Sequence, residues 1–481
     1  MKQLTILLFV VLLLVFGCDG SITSKANTAY FGGEIINPKG NRIILHNRNT
    51  NSIDTLLLDE RNRFNKKIEH IESGLYSFGH GGEIQFVILE PNDSILIRLN
   101  TYEFDESLVF TGKGAKKNNY LIKTFLNNER ASRKLVKYAS KEPEDFELFI
   151  DTRHKGELED FENFKSKTEL SDFASSIINA NIDYHNYADK EIYPFAYYGE
   201  NKLVHIKDLP EGFYDFRKNT DYNADELGSI FSYNRYLFFH FDNIAVTEFY
   251  KNNKFHTKFD RYSLVYNKAK LNLIDSIVSS ESIKNRLLRY KTSEFINHSK
   301  SQIEINDLMA LYSSKTTNKD DIKSLNSLIA SLENLQPGKG LPDLKVINAN
   351  NDEHIIANIV DRPTLIYFWS TNDKKHYKNS HYRIKELKTD FPKMGFMSIN
   401  INDNPENFWK ETITQYDFDI SSEYRFENPK EAMNTLAVNY LWKVIIVDKN
   451  ANIIHPNVNI FSEDFENLLK DMVIKKELVF N

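Results

Sequence analysis

Asp373 and His376 stand three residues apart, just beyond an apolar run that ends at Trp369, and His381 follows five residues later. A carboxylate and an imidazole can bind zinc together or trade a proton as acid and base. On a helix, residues at i and i+3 share a face, whereas His381 points to another. Lys374 and Lys375 between them repel a cation. The pattern therefore predicts an exposed helix start and no metal, with a metal-dependent activity around His376 as the lesser reading. His80 in "FGHGGE" and His185 in "DYHNY" are lone histidines, which suits a hydrogen-bonded structural role. No Ser/His/Asp arrangement or nucleophile-elbow spacing is visible, and nothing points to a nucleotide or any other cofactor. "GKGAKKN" at 112–118 has the look of a phosphate loop, but it lacks the Gly-Lys-Ser/Thr spacing and reads as a turn that starts a helix.

Sulfur chemistry is bounded by a count, because Cys18 is the only cysteine of the 481 residues. It ends "LTILLFVVLLLVFGC", an apolar run shorter than the ~20 residues a spanning helix needs, preceded by Lys2. A small residue before the Cys and an apolar residue at −3 resemble the lipobox of bacterial lipoproteins. The resemblance implies cleavage before Cys18, a diacylglyceryl thioether on its sulfur and an acylated amino terminus. Several acyl chains would hold the protein on a membrane, since each buried CH₂ contributes ~0.8 kcal/mol. The expected location is the cell envelope, on the periplasm-facing side of the inner or outer membrane. With Cys18 consumed, the mature chain has neither a free thiol nor a possible disulfide, and its cores alone must hold it together.

Residues 1–17 read as signal peptide and 18–29 as tether. From 30 to 112 short strands alternate with "NPKG", "DERNR", "HGG" and "EPND", which predicts a small antiparallel β-sandwich, with Ile95, Ile97 and Leu99 on its buried face. Residues 113–335 carry apolar side chains at helical spacing, among them Ile283, Leu287 and Tyr290, and predict a helical domain. The basic–aromatic run at 250–262 reads as a solvated helix face. "QPGKGLP" then breaks the helix, and 336–481 alternates strand and helix, a parallel pair first and an antiparallel hairpin later. The fold class expected is thus multidomain, ending in an α/β domain. A formal net charge of −6 gives no electrostatic case for nucleic acid as a partner.

The last segment has a closer resemblance. "GKGLPDL", "PTLIYFWST", "FMSININDNPENFWKETI" and "LAVNYLWKVIIVDKNANII" resemble the thioredoxin-like domain of membrane-tethered thiol–disulfide oxidoreductases of the cytochrome c maturation type. "LEPNDSILIRL" followed by "FTGKGAKKNNYL" resembles the amino-terminal module of envelope lipoproteins that carry such a domain. Where that family has "F-W-A-x-W-C-x-x-C", Asn372 falls on the second Trp, Asp373 on the first Cys and His376 on the second. Trp442 falls on the family's cis-proline, where a trans bond is expected. A helix N-terminus lowers a thiol pKa and so activates it, but Asp373 there can only cap the first turn. The resemblance therefore implies a kept frame with its dithiol lost. Its candidate binding groove is Trp369, Asn372, Asp373, His376, Trp442 and Lys443. The function expected is a redox-inactive binding or scaffold module for an envelope protein or peptide. The alternative is a residual role in envelope redox or thiol metabolism.

Overall fold

The computed structural model describes residues 27–474, apart from 49, 51, 199–208, 253–258, 403–405 and 463. Cys18 and the apolar run before it lie outside the described residues. The chain forms two compact units. One contains the described residues up to His80, Gln85–Leu126 and Leu170–Ala174; the other contains Gly81–Ile84, Asn127–Glu169 and Ser175 onward.

The first unit is β-rich. β4 (Arg63–Ile68), β1 (Ala29–Ile36), β7 (Ser94–Asn100) and β8 (Val109–Lys113) form one four-stranded sheet. β3 (Ser52–Leu57), β2 (Arg42–Asn47), β5 (Gly74–His80) and β6 (Glu83–Leu89) form the other. Ile95, Ile97 and Leu99 are buried and the residues between them exposed, so β7 has one wet and one dry face. Phe31 of β1 and Phe78 of β5 meet with ring centroids 5.5 Å apart, so the two sheets share one apolar core. One pairing corrects the antiparallel expectation: β1 and β7 run parallel. Five strands lie between them in sequence, so no tight hairpin constrains their direction.

The "GKGAKKN" turn leads directly into α1 (Ala115–Tyr138). Its Lys117 is buried, and its Nζ lies 2.6 Å from both Glu90 and Asp93. An ammonium held by two carboxylates of its own unit is a structural tie and no phosphate ligand.

In the second unit the helices α2 (Pro143–Lys165), α3 (Asp172–Tyr198), α4 (Phe231–Asn252), α5 (Leu264–Ile277), α6 (Glu281–His298), α7 (Gln302–Lys315) and α8 (Lys319–Asn334) precede the α/β region. Ile283 and Leu287 are buried on α6, while Tyr290 is half-exposed and stacks on Phe238 at 4.3 Å. Phe259, from the run read as a solvated face, is buried edge-on to Tyr266. Aromatic side chains there fill the core because their area outweighs the charges beside them.

The α/β region has a seven-stranded sheet in the order β10 (Glu353–Ile355), β9 (Lys345–Asn348), β13 (Glu423–Phe426), β12 (Gly395–Asn400), β11 (Thr364–Trp369), β14 (Lys443–Val447) and β15 (Ile453–Asn459). β11, β12 and β13 are parallel, β14 runs against β11, and β15 runs against β14. Helices follow β11, β12, β13 and β15: α9 (Lys374–Asp390), α10 (Glu406–Gln415), α11 (Pro429–Thr435) and α12 (Phe465–Ile474). The inner order β12-β11-β14-β15, two parallel strands and then two antiparallel ones, is that of a thioredoxin-like sheet. Every residue of β11 is buried. Ile366 and Phe368 face one apolar cluster, Leu365 and Tyr367 the other, which is why "TLIYFW" shows no polar alternation.

Candidate functional site

The site begins where β11 runs out. Asn402 locks the short loop that follows: its Oδ1 accepts from the Thr371 N–H at 2.7 Å and its Nδ2 donates to Ser370 Oγ at 2.9 Å. α9 then starts with Asp373 as its N-cap, whose Oδ1 accepts from the His376 N–H at 2.8 Å. A carboxylate here meets the positive end of the helix and one of its free donors. Asn372 and Asp373 are exposed at this helix head.

His376 is half-buried, and neither ring nitrogen has a well-formed hydrogen bond. Burial pushes its pKa down, opposed by the Asp373 carboxylate, and the Leu441 main chain approaches the ring. The ring also meets the edge of Phe461 at 5.7 Å. The structure thus brings His376 beside the loop that carries Trp442. Trp442 is half-buried and stacks on Tyr440 at 4.9 Å; among the described residues no peptide bond is cis.

Two residues expected in the groove are placed elsewhere. Trp369 is fully buried, because the central strand is covered on both faces. Lys443 is buried as well, and its Nζ donates to the carbonyls of Leu436 at 2.7 Å and Ala437 at 3.1 Å. Those carbonyls end α11, where a cation is favoured by the helix dipole. Burial brings the Lys443 pKa down to about 7. Both residues support the site from beneath and do not line it.

Sequence reading missed the buried group below. His381 lies on the inner side of α9, stacked on Phe418 at 3.5 Å. Its Nδ1 donates to the Tyr377 carbonyl at 2.7 Å, and its Nε2 lies 2.9 Å from Glu423 Oε1. Trp369 Nε1 donates to the other Glu423 oxygen at 3.2 Å. Acceptors on both sides of the ring require two protons within the His381–Glu423 pair, as imidazolium with carboxylate or as imidazole with carboxylic acid. Ser398 Oγ is 3.3 Å from the same Nε2. Serine and acid on one nitrogen do not make a triad, in which they sit on opposite nitrogens. A buried Glu on a four-residue strand has no periodic signature that could have announced it.

The two lone histidines, His80 and His185, are both buried, and His185 Nε2 makes no hydrogen bond. His80 accepts from the Lys39 N–H at 2.8 Å and bonds the Arg42 carbonyl at 2.9 Å. Burial lowers the His185 pKa to about 4, beside Asp189. Among the described residues no group of three His, Cys, Asp or Glu side chains is placed to hold a metal ion, and no helix is long and apolar enough to cross a membrane.

No protein-family model matches the chain, and no curated protein matches it. Solved structures similar to it cover less than a third of the chain. A proposed thiol-disulfide oxidoreductase from Bacteroides vulgatus is 16% identical over 29% of this chain and 97% of its own, with a TM-score of 0.26. The carboxy-terminal domain of another from Bacteroides thetaiotaomicron is 19% identical over 29% and 98%, with a TM-score of 0.26. A proposed thiol:disulfide interchange protein DsbE from Chlorobium tepidum is 12% identical over 29% and 97%, with a TM-score of 0.25. Likenesses this distant add nothing to the site. The thioredoxin-like character of the α/β region rests on its strand order.

Proposed function

We propose that the protein is anchored in the cell envelope through a lipidated Cys18, and that its thioredoxin-like domain binds a protein or peptide partner without exchanging disulfides. The amino-terminal β-rich unit is, on this reading, a β-sandwich that extends the binding surface. The observation that carries the proposal is chemical. At the helix head where a dithiol would act stands Asp373, bonded into its own first turn, with His376 one turn on and no thiol. A carboxylate cannot attack a disulfide sulfur. Asn372, Asp373, His376 and Trp442 supply the contacts, with Trp369 and Lys443 holding the floor.

Disulfide exchange measured by insulin reduction with the Cys18→Ser chain tests the redox half: turnover above a protein-free blank refutes it. Cross-linking in native membranes tests the binding half, and the partner band must weaken in His376→Ala and Trp442→Ala. Calorimetry with a thiol peptide separates the alternative. Affinity that vanishes when the thiol is methylated would favour a role in thiol metabolism. Lipidation is read from the mass of the amino-terminal peptide.

A further inference from the structure

The second unit holds a cleft of about 700 Å³ between α2 and the part of α1 from Asn127 onward, which belongs to the same unit, well away from the α9 head in sequence. Its size is that of small-molecule sites, which run to roughly 300–1,000 Å³. Each helix gives it one face: Arg130, Lys134 and Tyr138 from α1, and Leu148, Phe149 and Arg153 from α2. Lys141 of the connecting turn completes the rim. Two observations about these residues point to a ligand.

The first is charge. Four cations line the cleft against two carboxylates, Asp145 and Glu157. Glu157 accepts a hydrogen bond from Asn186 at 2.8 Å, and burial raises its pKa, which weakens its claim as a counter-ion. Arg153 is held from behind. Its Nε donates to Asn186 Oδ1 at 2.9 Å and its Nη2 to Asp189 Oδ2 at 2.7 Å. Asp189 also takes Arg235 at 2.7 Å, so a single carboxylate faces two guanidinium groups. Arg153 Nη1 is buried and makes no hydrogen bond. An immobilised guanidinium with unused donors has little conformational entropy left to lose when it meets an anion.

The second is apolar surface. Tyr138 and Phe149 stack with centroids 3.8 Å apart and planes within 6°. Leu148 is 69% exposed beside them, although it is a large apolar side chain on a helix with a covered face. A flat ring laid on this wall would remove that leucine from water.

We propose that the cleft binds an organic anion that joins a flat apolar ring to a carboxylate, with the ring against Leu148 and the Tyr138–Phe149 pair and the carboxylate between Arg153 and Lys134. The site is separate from the helix-head surface and does not depend on the function assigned to it.

Titration calorimetry on the Cys18→Ser chain tests this with three probes: 2-naphthoate, its neutral analogue 2-naphthamide, and acetate. Naphthoate should bind, and each of the other two, lacking charge or ring, should bind at least about tenfold more weakly. Lys134→Glu and Leu148→Ala change exposed side chains, so the fold should survive, as a thermal melt will show. Each should weaken naphthoate by about tenfold, through the charge and the wall respectively. Naphthoate heats no larger than those of naphthamide overturn the proposal, as does an affinity unchanged in both variants.

Discussion

Glu423 offers the sharpest test of the carboxy-terminal core, because two substitutions there should differ greatly for a reason that lies in protons. The carboxylate is 1% exposed and takes His381 Nε2 on one oxygen and Trp369 Nε1 on the other. Glu423→Ala leaves the Trp369 donor buried without an acceptor, strips His381 Nε2 of its partner and opens a cavity. Removing one member of a buried hydrogen-bonded pair in this way costs about 3 kcal/mol or more. Glu423→Gln keeps the shape and removes one proton from the pair. The ring can then stay neutral, with Nδ1–H still on the Tyr377 carbonyl and the Nε2 lone pair accepting from the new amide. The amide oxygen still accepts from Trp369. Every group remains satisfied, so the loss should be about 1 kcal/mol or less. Urea unfolding followed by tryptophan fluorescence reads this region selectively, since the three tryptophans are Trp369, Trp409 and Trp442, all in the α/β region. Trp369 and Trp409 share one apolar cluster. Equal losses for Gln and Ala would refute the proton count and with it the assignment of His381 as the bridge.

Three further outcomes are expected. Asp373→Ala removes the cap of α9 and should cost ~1 kcal/mol in the same unfolding assay while leaving insulin reduction at the blank; a loss within error shows that the cap is idle. Lys443 has a folded pKa of about 7 against 10.5 unfolded, so between those values the unfolded chain holds a proton that the fold does not. Stability should therefore rise with pH above 7, by up to about 3 kcal/mol between pH 7 and pH 9 relative to Lys443→Met, and parallel pH profiles for the two proteins would rule this out. Glu191, fully buried, takes Arg217 at 2.7 and 2.5 Å and His240 at 2.8 Å. Glu191→Ala should cost about 3–5 kcal/mol and lower the helical melt seen by circular dichroism; a silent substitution would mean the network carries no stability.

Local pattern was legible along the chain. The period-two alternation in β7, the helical spacing of Ile283 and Leu287, and the uninterrupted apolar run of β11 each record which faces a strand or helix buries. So does the chemistry at the helix head. An Asp at the start of the helix, followed one turn later by His376, is a fact of residue type, and a chain with one cysteine has no dithiol whatever its fold. What the pattern lacks is information about who faces whom. The parallel pairing of β1 with β7 depends on contacts between segments more than fifty residues apart, and local periodicity is the same for either direction. Trp369 and Lys443 are expected to line the groove, but strand geometry turns both inward, the one to Glu423 and the other to the end of α11. The His381–Glu423 pair joins a helix to a strand 42 residues away, and the Arg153–Asp189 pair joins two helices across 36. Such charges lower the free energy only where packing excludes water and brings the partner within hydrogen-bond reach, and that condition is created by the tertiary fold alone.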